Sequence, residues 1–562
     1  MPMPRVFVPA VLSALLLWAA FFPLNVGPLG FVALVPWLSL VRAPVSRRRR
    51  YFAAYLGGVA FFALATNWVR VAHPMMSLSW LGLAVVAPVF WVVALAFIRR
   101  LDRLGLPLAL SVPLAWVALE FARMHFPTGY PFLKGTGFYQ MIGFGWYSMG
   151  YTQHAFLPFI QIADLGGVYA VSFVVAAVNG LLTDWALRSA AVRRWLRWPD
   201  ALPATAPSRP HLRIVTAAVL ALFAVSLGYG FVRLSHPEFA TGPRVAAIQG
   251  SVPQDEKILR GGGLVRSYGA LHFAAAGAEP TPDLVVWPET CFAGDWFEVA
   301  PGQTPNAEFT EQVEACTAYF DKLRFRVPVL LGLNGHDWQN GRGWRYNSAL
   351  MLDATGAKVG RYDKMHLVPF GEYVPLGNYL PFMAAFTPYK HDYSCRPGES
   401  WTRFPLKTSD GRAFTFGCLI CYEDSDPYLA RQYVASQPVD FLVNISNDGW
   451  FDGTEEHEQH LAICRFRAVE ARRAIVRAVN MGISGFIDSD GRVLAIPGET
   501  WSKSKKMEGI VTAAVPIDTR GSLYASIGDT LPAMCWLLIV LGAIAARVRR
   551  PRTTPNVTQT SP

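Results

Sequence analysis

Phe416-Gly-Cys-Leu-Ile-Cys-Tyr-Glu423 is an apolar run that ends on a thiol, with Asp424, Asp426 and Pro427 following at once. A short apolar run bounded by turn residues reads as a buried strand. Runs of the same kind recur at Val245–Ile248, Leu284–Trp287, Val327–Leu333, Ala349–Leu352 and Phe441–Ile445. Between them lie helical patterns at 305–325 and 456–474, the second with Leu461, Cys464, Ala468 and Ala471 on one face. Strands alternating with helices predict an α/β layered domain. Asp353-Ala-Thr-Gly356 and Asp488-Ser-Asp-Gly491 predict hairpin turns. The stretch 365–400 is long and rich in proline, aromatics and glycine, which suits a lid or an entrance better than a plain linker.

Outward from this region the composition changes. The chain has 562 residues, 52% of them hydrophobic and only 16% charged, with a mean hydropathy of +0.26. Few water-soluble proteins combine these values. The apolar runs concentrate in 1–235 and 531–548, leaving 240–525 as a domain of ordinary polarity. A helix needs about 20 apolar residues to cross a bilayer. Candidate spans fall near 6–24, 27–42, 51–70, 77–98, 107–122, 155–187, 212–232 and 531–548, a polytopic α-helical membrane bundle of about eight spans. Residues 5–20 also fit a cleavable signal peptide, but the later spans and the lack of a clean small-x-small site favour a retained helix.

The net charge of +11 is carried largely by arginine clusters beside the apolar runs: 47–50, 99–103, 188–197 and 547–552. With a cytoplasmic N-terminus, all four clusters face the cytoplasm, as the positive-inside rule requires. The domain at 240–525 then lies outside the cytoplasm, and the tail 549–562 lies inside it, disordered from Thr553 onward. No basic stripe interleaved with aromatics is present, so nucleic acid is not an expected partner.

Three residues carry the chemical expectation. Cys421 stands at a strand end, where a thiol can act as nucleophile once a base and a cation activate it. A cysteine closing an apolar strand is more often packing, and Cys418, three residues back, fits that bland reading. Glu289 ends the run Leu284-Val-Val-Trp-Pro-Glu289. It is either a solvated strand-end carboxylate or a base whose pKa is raised by burial against Trp287 and Phe292. Lys364 is framed by Tyr362, Met365, Leu367 and Phe370, so it is either a surface lysine or an ammonium placed for an oxyanion. His366 is a competing base. The pair Cys418-x-x-Cys421 also permits redox chemistry, whereas zinc would need a second ligand pair that the sequence lacks.

Glu289, Lys364 and Cys421, in this order and in these contexts, resemble the Glu-Lys-Cys triad of the nitrilase (carbon–nitrogen hydrolase) superfamily. Tyr346-Asn-Ser, Asn444-Ile-Ser-Asn-Asp-Gly-Trp-Phe451 and Arg477-Ala-Val-Asn480, with Gly482 and Ser484, extend the resemblance over about 240–520. The membrane portion, Gly371-Glu-Tyr-Val-Pro375, Ser446-Asn-Asp-Gly-Trp-Phe451, Gln161-Ile-Ala and Gly528-Asp529 make the chain similar to one family in particular, the apolipoprotein N-acyltransferases. The resemblance implies an α-β-β-α sandwich at 240–525 set between seven spans in 1–235 and a last span at 531–548. It implies Glu289 as base, Cys421 as the nucleophile that takes a fatty acyl chain from a phospholipid as a thioester, and Lys364 as oxyanion partner. Glu372 and Glu423 match positions that hold the triad, and Tyr422, Trp450 and Asn347 match positions lining the pocket.

The implied acyl donor is a phospholipid such as phosphatidylethanolamine, and the acceptor is the N-terminal amine of a diacylglyceryl-cysteine lipoprotein. The reaction is ping-pong acyl transfer in a bacterial inner (cytoplasmic) membrane, with the catalytic domain on the periplasmic or outer side. No cofactor and no metal are expected. Two departures stand out. The family's Gly-Phe-Pro-Trp between the fifth and sixth spans is read here as Gly129-Tyr-Pro-Phe132, and Gly453-Thr-Glu-Glu-His-Glu-Gln-His460 replaces a Gly-Pro-containing stretch. Two rival readings remain open: a membrane-tethered amidase of the same superfamily, and a transporter or receptor using Asn67, Glu120 and Asp184 in its spans.

Overall fold

The computed structural model describes all residues except 1–2, 137–138, 140, 142, 200, 202–204, 236–238, 260–261, 378, 387–392 and 549–562. The expected cytoplasmic tail, with its arginines at 549, 550 and 552, lies outside the described residues.

From 240 onward the chain builds two sheets. The strands are Ala240–Gln249 (β1), Leu284–Val286 (β2), Trp296–Val299 (β3), Val329–Gln339 (β4), Arg342–Leu352 (β5), Lys358–Asp363 (β6), Arg403–Lys407 (β7), Ala413–Ile420 (β8), Phe441–Asn447 (β9), Ile475–Asn480 (β10), Gly485–Ile487 (β11), Val493–Ala495 (β12) and Gly509–Ile517 (β13). The first sheet runs β13-β1-β2-β4-β5-β6, with β3 beside β4, and the second runs β12-β11-β10-β9-β8-β7. Every strand expected from the sequence is present. The two Asp-x-x-Gly turns join the antiparallel pairs β5–β6 and β11–β12.

Side chains alternate across each strand. Val245 and Ala247 of β1 enter the core shared with β8 and β9, where Phe416, Cys418, Leu442 and Val443 meet them. Ala246 and Ile248 point the other way, into a layer formed with Leu264, Tyr268 and Phe320 of the helices Gly262–Ala276 and Ala307–Phe320. The helices Pro427–Ala435 and Glu456–Ala471 pack on the second sheet, so the layers run α-β-β-α. Pro427 opens its helix at a position where its missing N–H costs nothing, and Asp426 caps it by accepting from the Tyr428 N–H at 2.9 Å.

The one-faced apolar pattern expected for 456–474 proves incomplete. All residues of Glu456–Ala471 are buried, polar face included. That face meets the membrane-side chain: Tyr147 donates to Gln459 at 2.9 Å, Gln459 to the Phe22 carbonyl at 3.1 Å, and Arg465 to the His154 carbonyl at 2.6 Å.

The first part of the chain is helical, as expected. Among the described residues three helices are long and apolar enough to cross a membrane: Met76–Arg103, Val168–Ala186 and Arg209–Ser235. Two more expected spans fall on the continuous helices Arg47–Ala65, of 19 residues with four arginines in its first turn, and Leu108–His125, of 18 residues with Glu120 and Arg123 inside it, and the rest are apolar but interrupted or short. Phe7–Ala20 has 14 residues, about 21 Å at 1.5 Å per residue against a hydrocarbon core of about 30 Å. Gly27–Val41 is a chain of short turns. The expected span 155–187 divides at Gly167, where φ is +69°, into the short turns Leu157–Ile160 and Ala163–Gly166 and the long helix Val168–Ala186. By length and composition, three helices among the described residues could cross a membrane, fewer than the eight expected.

The sandwich sits directly on this helical part. Arg472, fully buried, meets Asp164 at 2.7 Å and Asp490 at 3.1 Å, and Gln161 donates to the Asp490 carbonyl at 3.0 Å. Removing one partner of such a buried pair costs about 3–5 kcal/mol, because a charge is left uncompensated.

Candidate active site

Three loops that leave the strands on one side of the sandwich converge. β2 ends at Val286, and Trp287-Pro288 carries the chain to Glu289. This approach is tight: a Cβ on Gly332 would lie 2.1 Å from the Pro288 carbonyl oxygen, so β4 can pass only as glycine. β6 ends at Asp363, one residue before Lys364. β8 ends at Ile420, and Cys421 follows with φ at +53°, in the left-handed region. A non-glycine residue there costs about 1–2 kcal/mol, a strain consistent with a sharp turn that presents the side chain.

Lys364 is 1% exposed and stands between two carboxylates, 3.0 Å from Glu289 and 2.9 Å from Glu372. The Asn347 amide donates to both carboxylates at 2.7 Å, and the Asn447 backbone N–H closes the ring onto Glu289 at 2.9 Å. Glu372 also accepts from the Val368 N–H at 2.8 Å. Burial alone would lower the Lys364 pKa, but Glu289, Glu372 and Cys421 together hold it well above the ordinary lysine value. Lys364 is thus a fixed cation.

Glu289 corrects an expectation. Burial would raise its pKa, yet the Lys364 ammonium, a second lysine at 257 and the hydrogen bonds from Lys364 and Asn347 hold it below the usual carboxylate range. It rests as a carboxylate, ready to accept a proton. Cys421 is the reverse: burial and the nearby Glu289 push its thiol well above the ordinary value, against Lys364 and a hydrogen bond with Ser446. The resting site therefore holds a thiol, a carboxylate and an ammonium. Moving the thiol proton to Glu289 leaves the net charge unchanged, so no additional charge has to be desolvated.

Glu423 is a bolt between loops. It accepts from the Ile420 N–H at 2.6 Å, the Met365 N–H at 2.7 Å, the His366 N–H at 3.1 Å and the Tyr362 hydroxyl at 2.9 Å. The loop carrying Lys364 is thereby tied to the strand end carrying Cys421. His366 gives its backbone N–H to Glu423, its ring packs edge-on against Tyr422, and its Nδ1 lies 3.6 Å from the Asp426 carboxylate. Trp450 lies half-buried on the turn Asp448–Phe451, and among the described residues no hydrogen bond or ring contact ties it to the triad. The loop expected as a lid packs its Cys395 N–H onto the Glu372 carbonyl at 2.8 Å, while 387–392 lie outside the described residues. All seven cysteines are free thiols; Cys418 is buried within β8.

Lys257, Gly143 and Trp146 were not singled out from the sequence. Lys257 is buried and donates to the Thr290 hydroxyl at 2.6 Å; its setting, Gln254-Asp-Glu-Lys257, reads as an ordinary polar turn. Tyr422 is held from the membrane side. Its hydroxyl donates to the Gly143 carbonyl at 2.7 Å, and its ring lies parallel to Trp146 at 5.5 Å between centroids. Gly143-Phe-Gly-Trp146, downstream of Gly129–Phe132, is thus a stretch of the membrane-side chain that meets Tyr422.

Behind Cys421, Arg477 meets Asp424 at 3.0 Å and Asp448 at 3.3 Å, and His460 meets Asp424 at 2.9 Å and Asp448 at 3.1 Å. The ligand-type atoms of Asp448, Glu456 and His460 lie within 4.8 Å of one another. Both imidazole nitrogens already face carboxylates, and Arg477 supplies the balancing charge, so this is an ion network by its chemistry.

A family model described as "Apolipoprotein N-acyltransferase N-terminal domain" matches residues 13–181, and one described as "Carbon-nitrogen hydrolase" matches residues 244–524. The chain is similar to an apolipoprotein N-acyltransferase of Geobacter metallireducens, 32% identical over 557 residues, covering 96% of this chain and 95% of that protein. It is 28% identical to that of Rhodopirellula baltica, covering 93% and 95%. It is also 28% identical to that of Caulobacter vibrioides, covering 93% and 90%.

Proposed function

The chain belongs to the apolipoprotein N-acyltransferase family, and on that premise we propose that it moves a fatty acyl chain from a phospholipid, through a thioester on Cys421, to the N-terminal amine of a diacylglyceryl-cysteine lipoprotein. The observation that carries the reading is the similarity over 96% of the chain, membrane part and sandwich together, to a protein of that name.

The arrangement of Glu289, Lys364 and Cys421 supports the following steps. Glu289 takes the Cys421 proton, and the sulfur attacks the ester carbonyl carbon of the lipid. Lys364, held between Glu289 and Glu372, stabilises the oxyanion as the C–S bond forms. The ester C–O bond breaks, and Glu289 returns its proton to the departing lysophospholipid. In the second half the α-amine attacks the thioester, the C–N bond forms and the C–S bond breaks. Glu289 passes the amine proton back to the sulfur. Glu372, Glu423 and Asn347 hold the frame, and Tyr422 and Trp450 line the pocket. Exclusion of water beside a bilayer favours the amine over hydrolysis.

The same proposal includes eight spans with 240–525 on the periplasmic face, phosphatidylethanolamine as the donor and the bacterial inner membrane as the location. The helices Arg47–Ala65 and Leu108–His125, with the shorter apolar helices Phe7–Ala20, Gly27–Val41 and Thr530–Ala546, support the higher count, a short span being met by local thinning of the bilayer. A reporter fused after Thr553 is expected in the cytoplasm; its appearance outside would overturn the topology.

The decisive experiment is mass spectrometry of the purified protein incubated with phosphatidylethanolamine and no acceptor. A fatty-acyl adduct on Cys421 that hydroxylamine removes is the expected result. Folded protein with an unmodified Cys421 would favour the tethered amidase instead.

A further inference from the structure

The helix Leu108–His125 carries Glu120 and Arg123, two buried ionisable residues one helical turn apart. Neither belongs to the triad or to its immediate partners. Most of their hydrogen bonds go to one short segment. Arg123 donates to the carbonyls of Phe144 and Trp146 at 2.6 and 2.5 Å, and its own carbonyl accepts from the Phe144 N–H at 3.2 Å. Glu120 accepts from the Met149 N–H at 2.6 Å, with Trp116 as a second donor at 2.9 Å. One helical turn therefore grips both ends of the strap 144–149.

The strap in turn grips the residue after the nucleophile. Beyond the bond to Gly143 and the parallel Trp146 ring, the Gly145 N–H approaches the Tyr422 hydroxyl at 3.4 Å. Trp146 also packs on His460 at 5.5 Å, so it is clamped from behind. The fit leaves no slack: a Cβ on Gly143 would lie 1.6 Å from the Met124 carbonyl oxygen, and one on Gly145 would lie 2.6 Å from that of Ser425. Cys421 stands immediately before Tyr422, in a left-handed conformation that its surroundings must enforce.

We propose that Glu120 and Arg123 are positioning residues for the acyl transfer, setting the Cys421 backbone through the strap 144–149 and Tyr422. The membrane helices then do more than anchor the enzyme, since one wall of its active site hangs from them. This inference rests on the acyl-transfer reading above.

The test compares wild type with Arg123→Met, Arg123→Lys, Glu120→Gln and Trp146→Phe. Leu110→Ala, on the exposed side of the same helix, is the control. Two rates are read on Cys421: acylation by phosphatidylethanolamine, and alkylation by iodoacetamide across pH. Arg123→Met is expected to slow acylation about 10- to 100-fold, the scale of a small misplacement of a reacting group. Half-saturation by the lipid should stay within about twofold, and Arg123→Lys should recover part of the loss. The alkylation–pH profile should shift in Arg123→Met and not in Leu110→Ala. Combined with Tyr422→Phe, Arg123→Met should add little, because both act along one path.

If Arg123→Met fails to fold, Trp146→Phe and Glu120→Gln carry the test, each with a several-fold loss of acylation expected. Folded variants that acylate and alkylate as wild type does, or losses that multiply with Tyr422→Phe, would overturn the proposal. A wild-type protein that alkylates but never acylates would instead sink the acyl-transfer reading, while the alkylation profiles still decide the positioning role.

Discussion

Lys257 donates its ammonium to the Thr290 hydroxyl at 2.6 Å, and so puts a second buried cation beside Glu289. Thr290 itself adopts φ +48°, a conformation such a bond helps to hold. The Glu289 pKa is depressed, so its carboxylate is lost only as pH falls through the folded value. Any stability it contributes is present above its unfolded pKa and lost at that same low pH. Lys257→Met is expected to raise the Glu289 pKa and move the acid limb of the acylation rate to higher pH, with Lys257→Arg close to wild type. A pH–rate profile of thioester formation checks this. Superimposable limbs would mean that Lys364 alone sets the charge.

Cys421 and Cys418 separate chemistry from packing. Cys421→Ala should abolish the hydroxylamine-sensitive adduct with the fold intact. Cys418→Ala removes one buried sulfur and should cost about 1–2 kcal/mol of stability while leaving acylation near wild type. Intact-mass analysis and thermal melting of the two variants distinguish the outcomes. A redox role for the Cys-x-x-Cys pair predicts equal losses from both.

The sandwich was legible because its central strands are apolar and end on chemically distinctive residues, Glu289 after β2 and Cys421 after β8. β10 was not read as a strand because Arg477 interrupts it, and that arginine is tolerable only because Asp424 and Asp448 meet it in the fold. The polar face of Glu456–Ala471 reads as solvated until the membrane-side chain covers it. Trp146 and Arg123 escaped for a similar reason. Their partners Tyr422 and Phe144 lie far along the chain or within an irregular segment, where neither periodicity nor turn chemistry marks a contact. The count of spans suffered most, since the segments Phe7–Ala20 and Gly27–Val41 satisfy hydropathy without satisfying length.

Glu423 ties the Lys364 loop to the Cys421 strand, and its titration should be visible. Burial pushes its carboxyl up to about 7, against the hydrogen bonds of Ile420, His366 and Met365 and the pull of Lys364. A raised carboxyl favours the protonated form in the fold. Its contribution is complete below the ordinary value of 4.5 and is lost as pH rises through about 7. Glu423→Gln should remove that slope from the melting temperature between those limits. It should cost about 1–3 kcal/mol, because an amide cannot accept from all of the donors. It should also slow acylation, as the two loops lose their common anchor. A slope unchanged in the variant would assign the titration elsewhere.

His460 provides the opposite sign. Burial and Arg477 lower its pKa, but Asp424 and Asp448 outweigh them and raise it to about 10. Glu456 stands at 3.5 Å on the same imidazole, and its own carboxyl is pushed well up by burial, so the cluster balances with His460 charged. A histidine raised from 6.5 contributes stability that is complete below that value and lost as pH rises through about 10. The melting temperature of the wild type should therefore fall across that alkaline window. His460→Gln leaves Asp424 and Asp448 with Arg477 alone and is expected to cost about 3 kcal/mol near neutral pH. Its melting curve should then lack the alkaline fall, so the two proteins converge at high pH. Because the Trp146 ring rests on His460, acylation by the variant should also slow before the protein unfolds. Parallel melting curves for wild type and variant from neutral to alkaline pH would show that the imidazole is neutral and that Arg477 alone balances the carboxylates.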